Sequence, residues 1–318
     1  MAECFMRVIS GSGRSGTTWV LDCLAEANGL RPIFEPLHPA VTPFGRDYAY
    51  RAIEPDELHP VLAAYLYEVD CGLYRSWWLN YRGRRDLLTP TAANLRSLDE
   101  IKRLWRRWRS FLRDKPALQR ASRRSEALIK FIRANLALGW MVRTFDARAV
   151  LIVRHPCAVV ESQRRLGSIW DPWPILNRFR ADAVLDKLTE GRYRNLLRAE
   201  LSILEALTLV WVIENQSPVA RAAEHRYQVV FYEDLVERPA EEWQRICTAL
   251  ALSRAPDSSS VRRPSQQASM RDEDFASRLS APKWISTLTR DDLASIRRVL
   301  DSTDCHLYCI EQEAPLRS

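Results

Sequence analysis

The segment from Val8 to Val20 constrains the fold more than any other part of the sequence. A β-branched run stops there at glycines 11, 13 and 16, and a helix-compatible segment follows. Glycines allow backbone amides to turn toward one point, and the N-terminus of the next helix adds about half a positive charge at that point. The order predicts a β-strand, an anion-binding loop and an α-helix, as found in α/β folds with a parallel sheet.

The side chains of this loop indicate which anion it suits. The Walker A pattern of nucleoside triphosphatases requires lysine at position 17, where this chain has Thr17. The loop therefore lacks the ammonium group that gathers the β and γ phosphates in phosphoryl transfer. Arg14 supplies a cation from within the loop, and Thr17 and Thr18 add hydroxyl donors. A kinase or nucleoside triphosphatase remains the alternative to a site for another tetrahedral oxyanion.

Two separated motifs together resemble those of one enzyme family. The run Gly-Arg-Ser-Gly-Thr-Thr at 13–18 resembles the 5′-phosphosulfate loop of sulfotransferases that use 3′-phosphoadenosine 5′-phosphosulfate (PAPS), and the segment 152–162 resembles their 3′-phosphate motif. The pattern is most similar to carbohydrate and tyrosylprotein sulfotransferases. The resemblance implies an α/β fold with a P-loop-like central parallel sheet flanked by helices. It also implies that PAPS is held by Gly13, Arg14, Ser15, Gly16, Thr17, Thr18, Arg154 and Ser162.

Glu35 is the predicted general base. It follows the extended segment 31–34, and the carboxyl ends of strands are where open α/β sheets bind ligands. From the residues alone, a solvated loop carboxylate is the alternative. The resemblance of Glu-Pro-Leu at 35–37 to the corresponding segment of carbohydrate sulfotransferases implies the catalytic role. His38 is the second candidate, since histidine is the base in other branches of the family.

Lys130 is the second predicted catalytic residue. It lies in the apolar run 127–132, where a lysine is unfavourable unless it points out of the sheet end toward an anion. The residues leave this role and that of a surface lysine open. The resemblance implies that Lys130 and Arg14 stabilise charge around the transferred sulfuryl group.

The second motif follows the most apolar predicted strand, 149–153. Arg154 ends this strand and Ser162 lies two turns into the next helix, so both are expected to contact one phosphate group. His155 occupies a position where the family usually has aspartate, and no catalytic role is assigned to it.

The composition is that of a globular protein, with 318 residues and 47% hydrophobic content. We expect a single sulfotransferase domain over 1–318, with a helical insertion at 45–125 and a loop at 253–283 that closes over PAPS. No run approaches the roughly 20 apolar residues of a membrane span, and we expect no leader before the first strand. A cytoplasmic protein is predicted.

The net charge of +7 fits a polyanionic ligand. The basic stretch 102–124 is either a solvated helix face, a groove for an anionic acceptor or a nucleic-acid surface, but it lacks a recognisable reader module, so nucleic acid is not a predicted partner. Arg262 and Arg263 are weaker candidates for contacts with PAPS. Cys305 and Cys309 are the only close pair among seven cysteines, and no metal site is predicted. The expected acceptor is a hydroxyl on a saccharide or a glycosylated small molecule; a lipid, a peptide and another natural product remain open.

Overall fold

The strands of the described structure form a parallel sheet in the order β2-β3-β1-β4-β5. The computed structural model describes residues 5–40, 42–74, 79, 126–261, 284–312 and 314–316. The strands are β1 (Arg7–Gly11), β2 (Arg31–Phe34), β3 (Ala127–Lys130), β4 (Arg148–Val153) and β5 (Gln228–Phe231). The predicted α/β class with a central parallel sheet is confirmed.

Helices connect and cover these strands. Numbered along the chain, they are α1 (Thr17–Asn28), α2 (Pro43–Tyr48), α3 (Pro60–Asp70), α4 (Leu138–Phe145), α5 (Pro156–Arg164), α6 (Trp173–Ala181), α7 (Ala183–Leu188), α8 (Arg194–Arg198), α9 (Ile203–Ala220), α10 (Tyr232–Glu237), α11 (Pro239–Ala249), α12 (Ser258–Val261), α13 (Trp284–Thr287) and α14 (Arg290–Ser302). Short 3-10 segments occupy Asn135–Ala137 and Gly167–Trp170. Among the described helices, none has the length and apolar content that a membrane span requires.

The two faces of the sheet are buried under different helices. Alternate residues of a strand point to opposite faces, so Ile129 and Leu151 pack with residues of α9, whereas Leu128 and Val150 pack with residues of α1 and α11. Burial on both faces explains why the strands read as continuous apolar runs instead of alternating patterns.

The parallel arrangement brings separate parts of the sequence to one edge. In register, Ile9 of β1 and Phe34 of β2 both lie opposite Lys130 of β3, and Gly11 lies opposite Ile152 of β4. The residues that follow these strands therefore meet at the shared carboxyl edge, as in other open α/β sheets.

Helix α9 crosses the first face and is apolar over most of its length. It begins with a capping box, in which Ser202 accepts a hydrogen bond from the Glu205 amide and Glu205 accepts one from the Ser202 amide. Near its C-terminal half, Glu214 and Asn215 are buried polar residues. This placement lets a helix distant in sequence contact the carboxyl edge of the sheet.

The last strand of the sheet passes directly into a helix within the segment 229–235. The strand ends at Phe231, and a helix begins at Tyr232. Glu233 and Asp234 lie in its first turn, where negative charge interacts favourably with the helix dipole.

The predicted insertion is described only in part. Helices α2 and α3 lie wholly or mostly within 45–125, but residues 75–78 and 80–125, which include the basic stretch 102–124, lie outside the described residues. The predicted closing loop is likewise outside them over 262–283, with Arg262 and Arg263.

We predict that Gly11→Ala destabilises the fold. A Cβ at this position would lie 2.5 Å from the carbonyl oxygen of Ile152 and 2.8 Å from Oγ of Ser15, and the carbonyl belongs to a central strand that cannot shift freely. Overpacking of this kind lowers the free energy of unfolding by about 1–3 kcal/mol, measurable by urea denaturation. In the control, Gly29→Ala, only the φ of 64° opposes the new methyl group, and about 1 kcal/mol is expected. Wild-type stability of Gly11→Ala would contradict the prediction.

Candidate active site

The loop between β1 and α1 is closed by its own side chains. Both the amide and the hydroxyl of Ser15 donate hydrogen bonds to the carbonyl oxygen of Ser12, at 3.1 and 2.6 Å. Gly16 precedes α1 with a φ of 93°, and a Cβ there would lie 2.7 Å from the ring of Tyr232. Glycine is therefore required at position 16, and the first turn of α1 begins directly at the loop with its amides available to an anion.

Neighbouring elements hold this loop from several sides. Gln163 of α5 donates to the carbonyl of Gly13 at 2.9 Å, and Asn215 of α9 donates to Oγ of Ser12 at 2.8 Å. A Cβ on Gly13 would lie 1.9 Å from a ring carbon of Trp170, so the indole lies directly against the loop. The shape of the loop is thus set by tertiary contacts as well as by its glycines.

Glu35 is a buried carboxylate between two cations. Its side chain is 2.7 Å from Nζ of Lys130 and 2.5 Å from Nη1 of Arg133, and its amide donates to the carbonyl of Lys130 at 2.9 Å. The backbone of Glu35 is left-handed, with a φ of 47°. We call Glu35, Lys130 and Arg133 the Glu35 cluster.

The two cations govern the acidity of Glu35. Burial by itself raises the pKa of this carboxyl, but the charges of Lys130 and Arg133 and the hydrogen bond from Lys130 outweigh it and lower the pKa to about 2. Glu35 is therefore ionised at neutral pH, and it is a weak base as long as Lys130 donates its hydrogen bond to the carboxylate.

Lys130 joins the Glu35 cluster to the loop. Its Nζ is 3.3 Å from Oγ1 of Thr18 and lies 3.8 Å from the centroid of the Phe34 ring. The side chain is 1% exposed, so Lys130 is not a surface lysine. A buried ammonium paired with Glu35 and close to the loop can stabilise negative charge that develops between them.

Arg14, Arg154 and Ser162 form a second group, the Arg14 cluster. Nε of Arg14 donates to Oγ of Ser162 at 3.0 Å, and Nη1 of Arg154 donates to the carbonyl of Arg14 at 3.2 Å. The guanidinium of Arg154 lies 4.3 Å from the centroid of the Tyr232 ring, and its buried Nε has no hydrogen-bond partner among the described residues. Arg154 and Ser162 are thus linked through Arg14, which contacts Ser162 with its side chain and Arg154 with its backbone carbonyl.

The Arg14 cluster concentrates positive charge. Burial lowers the pKa of Arg14, and the neighbouring charges of Arg154 and Arg165 lower it further. Such mutual repulsion between guanidinium groups is relieved by a polyanion, which also offers acceptors for a buried donor such as Nε of Arg154.

His38, the second candidate base, lies close to the Glu35 cluster. Burial and the charge of Arg133 lower the pKa of His38 to about 4, so the imidazole is neutral at pH 7. Its Nδ1 accepts a hydrogen bond from the amide of Ala40 at 3.2 Å. A neutral histidine can accept a proton, and His38 therefore remains the alternative to Glu35.

Sequence reasoning missed three residues of this region. Arg133 directly follows the apolar run 127–132, so the reasoning applied to Arg154, which ends a predicted strand, also applies to Arg133. Trp170 contacts the loop and lies with its ring 5.9 Å from Cζ of Arg133, but no pattern in the sequence indicates this. Glu214 stands beside Asn215 in an apolar helix, and that pair of polar residues is the signal that could have identified it.

Glu214 contributes a second buried carboxyl below the loop. It is 3% exposed, and Oε1 has no hydrogen-bond partner among the described residues. Burial raises the pKa of Glu214 to about 8, while a hydrogen bond with Ser12 and the charge of Arg133 act in the opposite direction. The carboxyl is therefore protonated at neutral pH, and it adds no negative charge beside the loop.

We predict that Glu214→Gln changes the pH dependence of stability. Between pH 5 and 8 the native state keeps the proton of Glu214 while the unfolded state has lost it, so this group makes the free energy of unfolding fall as pH rises. The slope is at most about 1.4 kcal/mol per pH unit. The variant should therefore gain stability relative to wild type as pH increases, as measured by urea denaturation at pH 5, 6.5 and 8. The control Glu200→Gln, at an exposed position, should show the same change of unfolding free energy with pH as wild type. If Glu214→Gln also followed the wild-type pH dependence, the prediction would be contradicted.

Comparisons with known proteins identify one family. Residues 8–257 match the sequence profile of the Sulfotransferase family. The sulfotransferase domain from the curacin biosynthetic pathway is 15% identical with a TM-score of 0.44, covering 95% of this chain and 99% of that one. The sulfotransferase domain from the Synechococcus PCC 7002 olefin synthase is 19% identical with a TM-score of 0.42, covering 92% and 93%. A sulfotransferase from Alicyclobacillus acidocaldarius is 13% identical with a TM-score of 0.36, covering 94% and 96%.

No curated protein matches the sequence. The profile match, however, extends over well more than half of the 318 residues and includes both motifs of the carboxyl edge. The chain therefore belongs to the sulfotransferase family.

Proposed function

We propose that the enzyme transfers the sulfuryl group of PAPS to an acceptor hydroxyl by in-line displacement. The observation that carries this proposal is the continuous contact from Glu35 through Lys130 to Thr18, which joins a carboxylate, an ammonium group and the anion-binding loop. A base on one side of Lys130 and the loop on the other leave the reacting sulfur next to the ammonium.

In this proposal, PAPS binds to the anion-binding loop, the Arg14 cluster and Lys130. The loop residues Gly13, Ser15, Gly16, Thr17 and Thr18 would hold the 5′-phosphosulfate with backbone amides and hydroxyls. Arg154 and Ser162 would hold the 3′-phosphate, which distinguishes PAPS from ATP. The unpartnered Nε of Arg154 among the described residues and the mutual repulsion within the Arg14 cluster fit such an anion. PAPS supplies the sulfuryl group and a phosphate leaving group.

Arg14 is proposed to bind the phosphates of PAPS and not the transferred sulfuryl group. The hydrogen bond from Nε of Arg14 to Ser162 supports a contact of this part of the guanidinium with the 3′-phosphate, and the position of Arg14 within the loop keeps it close to the 5′-phosphate. We therefore place Arg14 between the two phosphates and Lys130 at the sulfuryl oxygens.

Glu35 acts as the general base in this proposal. With Lys130 attached, the pKa of Glu35 is about 2. When Lys130 turns its hydrogen bond to a sulfuryl oxygen, that contribution is lost and the pKa of Glu35 rises toward a value suited to proton transfer. The acceptor oxygen then bonds to sulfur while the bond from sulfur to the bridging oxygen breaks. The acceptor proton passes to Glu35, and the electron pair leaves with the phosphate.

The acceptor is proposed to be a hydroxyl on a saccharide or a glycosylated small molecule. The support is the Glu-Pro-Leu segment at 35–37, which resembles that of carbohydrate sulfotransferases. A screen of saccharide, lipid, peptide and small-molecule alcohols with ³⁵S-labelled PAPS tests this choice, and labelling confined to a class without sugar would replace it.

Calorimetric titration with 3′-phosphoadenosine 5′-phosphate (PAP), ADP and Mg-ATP tests the donor. Micromolar binding of PAP with much weaker binding of ADP is expected, because the Arg14 cluster recognises the 3′-phosphate. Preference for Mg-ATP would instead support the kinase or nucleoside triphosphatase alternative.

We predict that Glu35→Gln lowers kcat by about 10²–10⁴-fold, because it removes the proton acceptor. PAP binding should stay close to wild type, since Gln can still accept hydrogen bonds from Lys130 and Arg133. Steady-state kinetics and PAP titration measure the two effects. Glu126→Gln is the matched control, because Glu126 precedes β3 at the opposite edge and its side chain is largely exposed. If Glu35→Gln kept the wild-type kcat, His38 would replace Glu35 as the proposed general base.

We predict that Arg154→Ala weakens PAP binding by about 10- to 100-fold, the usual effect of losing hydrogen bonds to a charged group. The control is Arg148→Ala, which removes an exposed arginine from the amino end of the same strand. Equal PAP affinity of the two variants would show that Arg154 does not bind the 3′-phosphate.

A further inference from the structure

We propose that the C-terminal segment 303–312 is part of the donor site, and that His155 is the positioning residue that fastens this segment to Arg154. The proposal rests on the proposed function, because it concerns the residue assigned to the 3′-phosphate. It gives a role to the histidine that stands where the family usually has aspartate.

The imidazole of His155 is held at both nitrogens. Nδ1 is 3.2 Å from the amide of Cys157, which can only donate, so Nδ1 accepts. Nε2 lies 3.1 Å from the carbonyl of Gln312 and 3.4 Å from that of Cys309, which can only accept, so Nε2 carries the proton. These partners specify a neutral imidazole protonated at Nε2. Burial, which lowers the pKa of His155 to about 4, keeps it neutral.

One nitrogen of His155 therefore binds the backbone of α5, and the other binds the backbone of the C-terminal segment. The Nδ1 contact caps the first turn of α5, the helix that carries Ser162. The Nε2 contact reaches more than 150 residues along the chain. The flat face of the ring stacks on Trp284 at 4.6 Å between centroids, and Tyr308 packs against it edge-on at 4.9 Å. A carboxylate at this position could provide the cap but could not donate to the two carbonyls.

Glu233 attaches the same segment to the backbone next to Arg154. Its Oε1 accepts the amide of His155 at 3.0 Å, and its Oε2 accepts the hydroxyl of Tyr308 at 2.6 Å. On the other side of this peptide, Nε1 of Trp211 donates to the carbonyl of Arg154 at 3.0 Å. The peptide that orients Arg154 is thus held by Glu233 and Trp211, and Glu233 is in turn held by the C-terminal segment.

Through this connection, the attachment of residues 303–312 and the affinity for the 3′-phosphate depend on each other. Release of residues 303–312 would free His155 and Glu233 and so loosen the orientation of Arg154, which weakens binding of the 3′-phosphate. By reciprocity, binding of PAP must stabilise the attachment of the segment by the same free energy. The effect should fall on donor affinity and leave the chemistry at Glu35 largely unchanged.

His155→Asp separates the two functions of the residue, because the carboxylate retains the cap on Cys157 and loses the bonds to residues 309 and 312. Hydrogen–deuterium exchange of 303–312, calorimetric titration with PAP and the KM for PAPS are measured in wild type, His155→Asp and the control His306→Asn, whose imidazole is exposed in the same segment. Tyr308→Phe is the second variant, since it removes only the hydroxyl on Glu233.

In wild type, PAP should slow exchange in 303–312. His155→Asp should exchange faster there, bind PAP about 3- to 30-fold more weakly and raise the KM for PAPS in proportion, with kcat within about twofold of wild type. Tyr308→Phe should shift the same quantities in the same direction, and His306→Asn should match wild type.

The outcomes distinguish this inference from the proposed function. If wild type fails to bind PAP, the proposed function is wrong. If wild type binds PAP but His155→Asp binds it equally well while its segment exchanges faster, the role of His155 is overturned. If His155→Asp does not fold, Tyr308→Phe and the wild-type exchange decide, and an absence of PAP-dependent protection in 303–312 overturns the proposal.

Discussion

The ion pair between Glu35 and Lys130 is the contact on which the carboxyl edge of the sheet depends. Each of these two charges is compensated at its depth of burial by the other, and Arg133 adds a second cation, so the Glu35 cluster carries one net positive charge. Lys130 is the last residue of β3 and Glu35 is the first after β2, and Phe34 lies opposite Lys130 in the register of these strands. A shift by one residue would reverse the faces and separate the charges. The strand register and the chemistry at this edge therefore depend on the same pairing.

Much of the fold followed from the sequence because parallel strands with both faces buried are continuous apolar runs that end at polar residues. Glu35 and Arg154 each follow such a run, and in a parallel sheet all the ends are adjacent. The same logic covers Arg133. Lys130 was notable as a lysine within the apolar run 127–132, and the family resemblance implied the catalytic roles of Glu35 and Lys130. The family assignment had a similar basis, since the loop at 13–18 and the segment at 152–162 are local patterns that need no knowledge of packing.

The remaining features depend on packing between segments that are distant in sequence. Glu214 reaches the loop only because α9 crosses the sheet at a particular height, and Trp170 reaches Gly13 only because the segment after α5 folds back. The direction of the Arg14 side chain also could not be predicted, because it depends on a backbone φ of 76° that no local pattern specifies. Hydrophobic periodicity shows which residues are buried but not which buried residues meet.

The repulsion that Arg154 and Arg165 exert on Arg14 has a consequence for the free protein. A tetrahedral dianion offers negative charge that offsets this repulsion whether or not it is part of a nucleotide. Inorganic phosphate and sulfate are therefore expected to behave as competitors of the donor and as stabilisers of the free protein. The choice of buffer will then alter both the apparent affinity for the nucleotide and the melting temperature.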